Sequence, residues 1–399
     1  MKSLFDTKNS QHIESKVIQI IEIISDKNDK FFDNVGLMGG YSGISLFYLE
    51  CYKHFKEEKY LNKGIEILES VITNSHINKN LSFCDGIAGV GWLINYAEEC
   101  NYINGTNNIL SDIDDYLFNN FTIPMLNHHI YDFLHGAIGS GVYFLSRTSS
   151  HKALVYLESI VSNIYEKINH PKALFGIEYP TINKKIQYDL GISHGIPGIL
   201  YFLVSTFKAK ILESKSLECI KIIIDFLKSN ITPHTDGRSY FPNEANNKGE
   251  SSRLAWCYGD LGICSVLLNA AKAINDFELE KNIIEIIKYN CTRTDIQKNI
   301  IFDSSFCHGS SGVAHIFANW HYLYGIENTK NAAIFWYNYT IADSSPFFSI
   351  KNGYAIFRPS TKTYQINDGL LEGNAGVGLS LLSAINPNIR GWNKSFLLQ

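Results

Sequence analysis

The chain has 399 residues, enough for one large domain or two to three average ones, with a formal net charge of −4 and a pI near 6.4. Lys and Arg are scattered rather than blocked, which excludes the electrostatic footprint of a nucleic-acid or anionic-surface binder. Eight cysteines are too few for a disulfide scaffold, and no stretch approaches the roughly 20 apolar residues of a membrane span. Residues 1–6 lack the apolar core of a signal peptide, so the sequence predicts a cytoplasmic protein.

In chain order, residues 18–24 come first, with the i, i+3, i+4 apolar recurrence of a helix that keeps one wet face; residues 65–71 repeat that pattern. Between such segments a Gly-x-x-Gly pair opens an apolar run seven times. The pairs are Gly40/Gly43, Gly86/Gly89, Gly136/Gly139, Gly195/Gly198, Gly259/Gly262, Gly309/Gly312 and Gly373/Gly376. The runs they open are 44–49, 90–96, 141–145, 199–204, 263–271, 313–320 and 377–384. A helix apolar nearly all round is usually buried.

Successive pairs lie 46, 50, 59, 64, 50 and 64 residues apart, which fits two helices plus loops per repeat. The pattern predicts an all-α fold: an inner ring of seven buried helices wrapped by an outer ring of seven, as one domain over 1–399. An open solenoid competes, but uneven spacing and the lack of polar caps favour closure. The first glycine of each pair suits a tight loop that needs positive φ or close backbone approach; the second lets helices crowd.

Extra length falls at 169–190, 230–252 and 344–369. The first contains a β-like run at 185–188, and the last holds alternating runs at 354–357 and 363–366 that predict a hairpin. All three precede a Gly-x-x-Gly, so these β-containing insertions are expected to rise over the mouth where the inner helices begin.

Aligning the openings on the first glycine gives a second pattern. The preceding residues are Gly39, Asp85, His135, His194, Tyr258, His308 and Glu372; one step back stand Met38, Cys84, Leu134, Ser193, Cys257, Cys307 and Leu371. In a ring these equivalent positions converge on one mouth. Cys257 of the fifth repeat and Cys307 with His308 of the sixth are then neighbours. Two thiolates and one imidazole make three zinc ligands and leave the fourth tetrahedral position open, as in catalytic sites.

Cys84 holds the same alignment position, but a seven-fold ring sets it across from the zinc repeats. Cys84, Cys100, Cys219, Cys264 and Cys291 are expected to be buried small hydrophobes. From the alignment alone, His135 and His194 are as compatible with capping a helix or bonding a loop carbonyl as with a part in the site.

Residues 252–259 (Ser-Arg-Leu-Ala-Trp-Cys-Tyr-Gly), Cys307-His308-Gly309, residues 193–198 (Ser-His-Gly-Ile-Pro-Gly) and residues 131–136 (Tyr-Asp-Phe-Leu-His-Gly) resemble the motif blocks of the lanthionine synthetase C-like family. The resemblance spans nearly the whole chain, and the absence of a dehydratase-sized N-terminal extension makes it similar to stand-alone cyclases of the class I type. It implies an α/α toroid that closes thioether rings in a dehydrated precursor peptide. The family's zinc ligands fall on Cys257, Cys307 and His308, and its other functional positions on Asp132, His194, Arg253 and Tyr258. A dehydratase and an export transporter are the partners the resemblance implies, with a place at the membrane surface through them.

On that reading the peptide cysteine replaces water on zinc and attacks as a thiolate. His194 serves as general acid and base, and Asp132 orients or tunes it. Arg253 stabilises the enolate oxygen or holds neighbouring loops, and Tyr258 positions or donates a proton. The competing reading is a zinc and glutathione or thiol-binding relative not dedicated to peptide rings. An α/α-toroid glycosidase or terpene cyclase lacks its acid-rich signature, since only Asp85 and Glu372 stand in line.

Overall fold

The computed structural model describes residues 3–25, 34–75, 79–168, 188–233, 236–245, 247, 249–342, 347–349 and 351–399. In chain order its helices are α1 (Thr7–Ser25), α2 (Tyr41–Phe55), α3 (Glu58–Asn74), α4 (Ile87–Glu99), α5 (Asn107–Leu117), α6 (Ile123–Asn127), α7 (Ala137–Ser146) and α8 (His151–Ile168). There follow α9 (Ile196–Lys208), α10 (Glu213–Lys228), α11 (Asp260–Ile274), α12 (Phe277–Asn290), α13 (Ser310–Tyr324), α14 (Glu327–Ile341) and α15 (Asn374–Ile385). Each of the seven apolar runs lies in a helix whose N-cap is the first glycine of a pair. In α4, every residue from Ile87 to Ala97 is buried.

These seven inner helices pack in sequence, α2 on α4, α7, α9, α11, α13 and α15, and α15 returns to α2. The ring is closed. The amphipathic helices alternate with them on the outside, α1 lying against α15. The third outer element widens from α5 through a π turn at Phe118–Thr122 into α6, just before Pro124, which has no N–H for the normal ladder.

The loop residues two before the first glycine form a hoop of backbone hydrogen bonds. Met38 N–H donates to the Cys84 carbonyl at 2.9 Å, Cys84 to Leu134 at 2.9 Å and Leu134 to Ser193 at 3.3 Å. Cys257 donates to Cys307 at 3.4 Å, Cys307 to Leu371 at 2.9 Å, and Leu371 back to Met38 at 2.8 Å. Between the fourth and fifth loops the link passes through a side chain, Ser193 Oγ donating to the Cys257 carbonyl at 3.4 Å.

One step deeper, Leu37, Phe83, Phe133, Ile192, Trp256, Phe306 and Leu370 fill the ring beneath the hoop, each essentially inaccessible. From the other end comes a feature without a sequence signal, the 3-10 segment Gly391–Phe396. Its Phe396 ring packs 4.1 Å from Phe306 and 5.2 Å from Trp256, and Trp256 Nε1 donates to the Phe396 carbonyl at 2.8 Å. Burying aromatic rings this large contributes roughly 1.5–3 kcal/mol each. The toroid is therefore plugged, and its mouth is a shallow bowl with a solid floor.

The glycines serve mostly for space. Six of the first glycines are extended, and only Gly259 (φ +87°) meets the expected need for positive φ. At Gly139, a second glycine, an added Cβ would stand 2.7 Å from the Cβ of Phe83 in the preceding loop. Gly139→Val is predicted to destabilise the fold by about 1–3 kcal/mol, because overpacking outweighs the helix-propensity gain of replacing glycine by valine, roughly 0.3 kcal/mol. A urea melt measures it; an unchanged or higher midpoint would contradict the packing.

Three short strands, β1 (Phe348–Ser349), β2 (Gly353–Arg358) and β3 (Thr363–Ile366), form an antiparallel sheet in the order β1-β2-β3. Ala355 faces Ile366 and Arg358 faces Thr363, the hairpin the alternation predicts, with β1 as an added strand. Tyr364 Oη donates to the Phe302 carbonyl at 3.0 Å, so the hairpin leans over the sixth loop. The second insertion lies on the fourth and fifth loops: Leu190 N–H donates to Asn243, and Ala245 N–H to Tyr188. Residues 169–187 of the first insertion, including most of the β-like run, lie outside the described residues.

Candidate active site and metal centre

The residues before the first glycines stand around the rim in the order the alignment predicts. His135 stacks on His194 with ring centroids 5.8 Å apart, and His194 lies 6.4 Å from the Tyr258 ring. His308 Nδ1 is 3.9 Å from Glu372 Oε1. The loop hoop holds the backbone, so these side chains share one bowl.

Cys257, Cys307 and His308 bring one ligand atom each to within 4.8 Å of one another. Both cysteines are buried and unpaired, as are Cys219 and Cys264; Cys100 and Cys291 are only half-buried. A hydrogen bond from Cys307 holds the Cys257 thiol well below its usual range against the penalty of burial, with help from His308 and the Arg253 charge. The two sulfurs share a hydrogen bond, so one negative charge is favoured between them. Burial opposes a charged imidazole at His308, but Asp303 and Cys257 outweigh it and push its pKa up to about 10. His308 Nε2 reaches Asp303 Oδ2 at 3.2 Å, which leaves Nδ1 for the sulfurs or a metal.

Cys84 does not join this group. It sits, buried, with Asp85 and His135 in a second set whose ligand atoms also lie within 4.8 Å. Burial first, then Asp85, pushes its thiol far up, so it is a protonated thiol there. The expectation of a plain small hydrophobe missed this company, because His135 comes from the next repeat.

The other four candidate residues lie beside the donor set. His194 Nδ1 and Asp132 Oδ2 are 2.5 Å apart, and Asp132 Oδ1 accepts the His135 N–H at 2.6 Å. Burial lowers the His194 pKa, but the Asp132 hydrogen bond and the charges of Asp132, Asp189 and Cys257 prevail and raise it. Tyr258 Oη donates to Asp189 Oδ2 at 2.7 Å. Arg253 is half-buried, its charge favouring thiolate at both cysteines.

The loop-holding duty considered for Arg253 is performed by a residue that sequence reasoning missed. Arg293 is fully buried and pairs with Asp260 at 3.2 Å while donating to the Ser252 carbonyl at 3.2 Å. Asp260 in turn accepts the Tyr240 and Phe241 N–H groups at 3.0 and 2.9 Å. A carboxylate directly after Gly259, opening an apolar helix, was the available signal.

The sign of the His194 shift gives a prediction. A group that must be protonated to donate loses activity as pH rises through its pKa. Asp132→Asn removes the main raising influence and leaves burial to dominate, so the His194 pKa falls. The alkaline limb of any His194-dependent rate is expected to move to lower pH in this variant; a pH–rate profile superimposable on wild type would refute the coupling.

Fold and mouth together define a class, a closed α/α toroid with a thiol–imidazole donor set and a carboxylate–histidine pair at one end. The model of the family described as lanthionine synthetase C-like protein matches residues 32–397, and the chain belongs to that family. Among solved structures, nisin cyclase is similar in fold, with a TM-score of 0.77 at 20% identity over 97% of each chain. Among the described residues, no helix is long and apolar enough to cross a membrane.

Proposed function

We propose that this protein is a zinc-dependent lanthionine-forming cyclase. It adds cysteine thiols of a dehydrated ribosomal precursor peptide to dehydroalanine or dehydrobutyrine and closes thioether rings. The observation that carries the reading is the meeting, over one bowl, of the Cys257–Cys307–His308 donor set with the Asp132–His194 pair. The donor set fits zinc: two soft thiols and one imidazole lie within reach of one ion, and the second imidazole nitrogen is already held by a carboxylate. Zinc bound there supplies a Lewis acid that keeps the incoming thiol deprotonated, while two protein thiolates limit the loss of its nucleophilicity.

The remaining work falls to the chain's own residues. Sulfur bonds to the β-carbon, the alkene pair moves to the α-carbon, and that carbon takes a proton, so the sum is addition of S–H across C=C. His194 is anchored through Nδ1 on Asp132. Its Nε2 is therefore the nitrogen that takes the thiol proton and returns one to the α-carbon. Arg253 supplies positive charge for the enolate oxygen, and Tyr258, held by Asp189, places its ring against His194. The whole chain, 1–399, acts as one toroid domain, in the cytoplasm where its thiols stay reduced, and works with a dehydratase and an export transporter.

The test is to incubate the zinc-loaded protein with a peptide containing both dehydroamino acids and cysteine. Ring closure consumes alkylatable thiol without changing mass. Unchanged thiol content would sink the proposal, and preferential adduct formation with added glutathione would favour the thiol-binding alternative.

A further inference from the structure

Five of the seven loops share one side-chain turn, with one chemical variation. Six positions before the first glycine stand Asn34, Asn80, Ile130, Asp189, Arg253, Asp303 and Asn367. In five of the loops this side chain folds back, its Oδ1 accepting the N–H two residues on. The pairs are Gly36 to Asn34 at 2.9 Å, Ser82 to Asn80 at 2.9 Å, Gly191 to Asp189 at 2.6 Å, Ser305 to Asp303 at 2.9 Å and Gly369 to Asn367 at 2.7 Å. This Asx turn needs one acceptor oxygen, and an amide serves as well as a carboxylate.

Loops one, two and seven use the amide. Loops four and six use the carboxylate, and there the second oxygen has its own partner. Asp303 Oδ2 lies 3.2 Å from His308 Nε2 and accepts the Phe357 N–H at 3.1 Å. Asp189 Oδ2 accepts from Tyr258 Oη at 2.7 Å. The loops that spend a charge on a turn are the two whose second oxygen meets a rim residue of the proposed chemistry.

We infer that Asp303 and Asp189 are positioning residues: their turn-forming carboxylates hold His308 as a metal ligand and Tyr258 beside His194. The inference rests on the zinc and cyclase reading above. With asparagine at 303, Oδ1 stays on Ser305 and Nδ2 faces two other donors, His308 Nε2–H and Phe357 N–H. The imidazole then swaps tautomer and presents Nδ1–H to the sulfurs, losing the lone pair a metal needs. With asparagine at 189, Nδ2 can still meet the Tyr258 oxygen, but the hydroxyl no longer donates to a carboxylate.

Zinc stoichiometry of the wild-type protein is measured first. A wild-type protein that holds no zinc would fail the reading itself, separately from this inference. Asp303→Asn keeps the turn found in three sister loops, and its zinc affinity, read by chelator competition, is expected to fall about 10- to 100-fold. Asn80→Asp is the control and leaves affinity unchanged. A second background separates positioning from structure: in His308→Cys the ligand no longer needs an acceptor behind it, so adding Asp303→Asn has no further effect. Unchanged affinity in Asp303→Asn, or an equal loss in both backgrounds, overturns the role of Asp303. Asp189→Asn is expected to keep zinc and KM, lower kcat and shift the pH profile. An unchanged kcat and profile overturns the role of Asp189.

Discussion

Cys257→Ala is expected to empty the metal centre and abolish ring closure while the toroid stays folded. A structural four-donor zinc site is worth roughly 10–16 kcal/mol, so one donor accounts for roughly a quarter of that, or about 100- to 1,000-fold in affinity. Cys257 is one of three donors in the set, and His308 and Arg253 favour its thiolate. The fold has little to lose: the side chain is small, and the hoop through its loop is made by the Cys257 backbone N–H and carbonyl, which alanine retains. Metal analysis after dialysis and far-UV circular dichroism check the two halves. Full zinc content in the variant would sink the ligand assignment, and loss of helical signal would make Cys257 structural.

Much of the ring was legible because its signal is local and repeated. Gly-x-x-Gly followed by an all-round apolar run recurs at every inner helix, so alignment of the chain with itself supplied the third dimension. Residues before the glycines point into one bowl because the backbone hoop fixes the loops at equal depth. The Cys257, Cys307 and His308 grouping followed from adjacency of two repeats. The hairpin followed from alternation at 354–357 and 363–366.

What the sequence hid has a common cause: it depends on partners that no periodicity links. The plug of Trp392 and Phe396 lies after the last repeat and carries no repeat signature, yet it forms the floor under Trp256 and Phe306. Arg293 and Asp260 lie far apart in sequence and meet only because α11 and α12 pack. Cys84 is buried as expected, but His135 reaches it from the next repeat. Of the two reasons a tight loop gives for its first glycine, close backbone approach holds at all seven and positive φ at Gly259 alone. A carbonyl pressed against the glycine excludes a side chain as effectively as an unusual φ does, and sequence cannot distinguish the two.

His194→Asn is expected to retain zinc and lose ring closure by roughly 100- to 10,000-fold, the usual span for removing a positioned acid–base group. Asparagine can still donate to Asp132, so loop geometry is preserved while the titrating nitrogen is gone. Residual activity would come from holding thiol and alkene together, which needs no proton shuttle. The pairing with Asp132 makes the result sharper. If Asp132 acts only through the imidazole, Asp132→Asn should slow the wild-type protein but cost nothing further in His194→Asn, because the group it tunes is already absent. Additive losses would mean that Asp132 has a second duty, for which its Oδ1 contact with the His135 N–H is the first place to look. Normal cyclisation with normal zinc in His194→Asn would remove the histidine from the mechanism altogether and leave the bowl's proton chemistry to Tyr258 and its carboxylate.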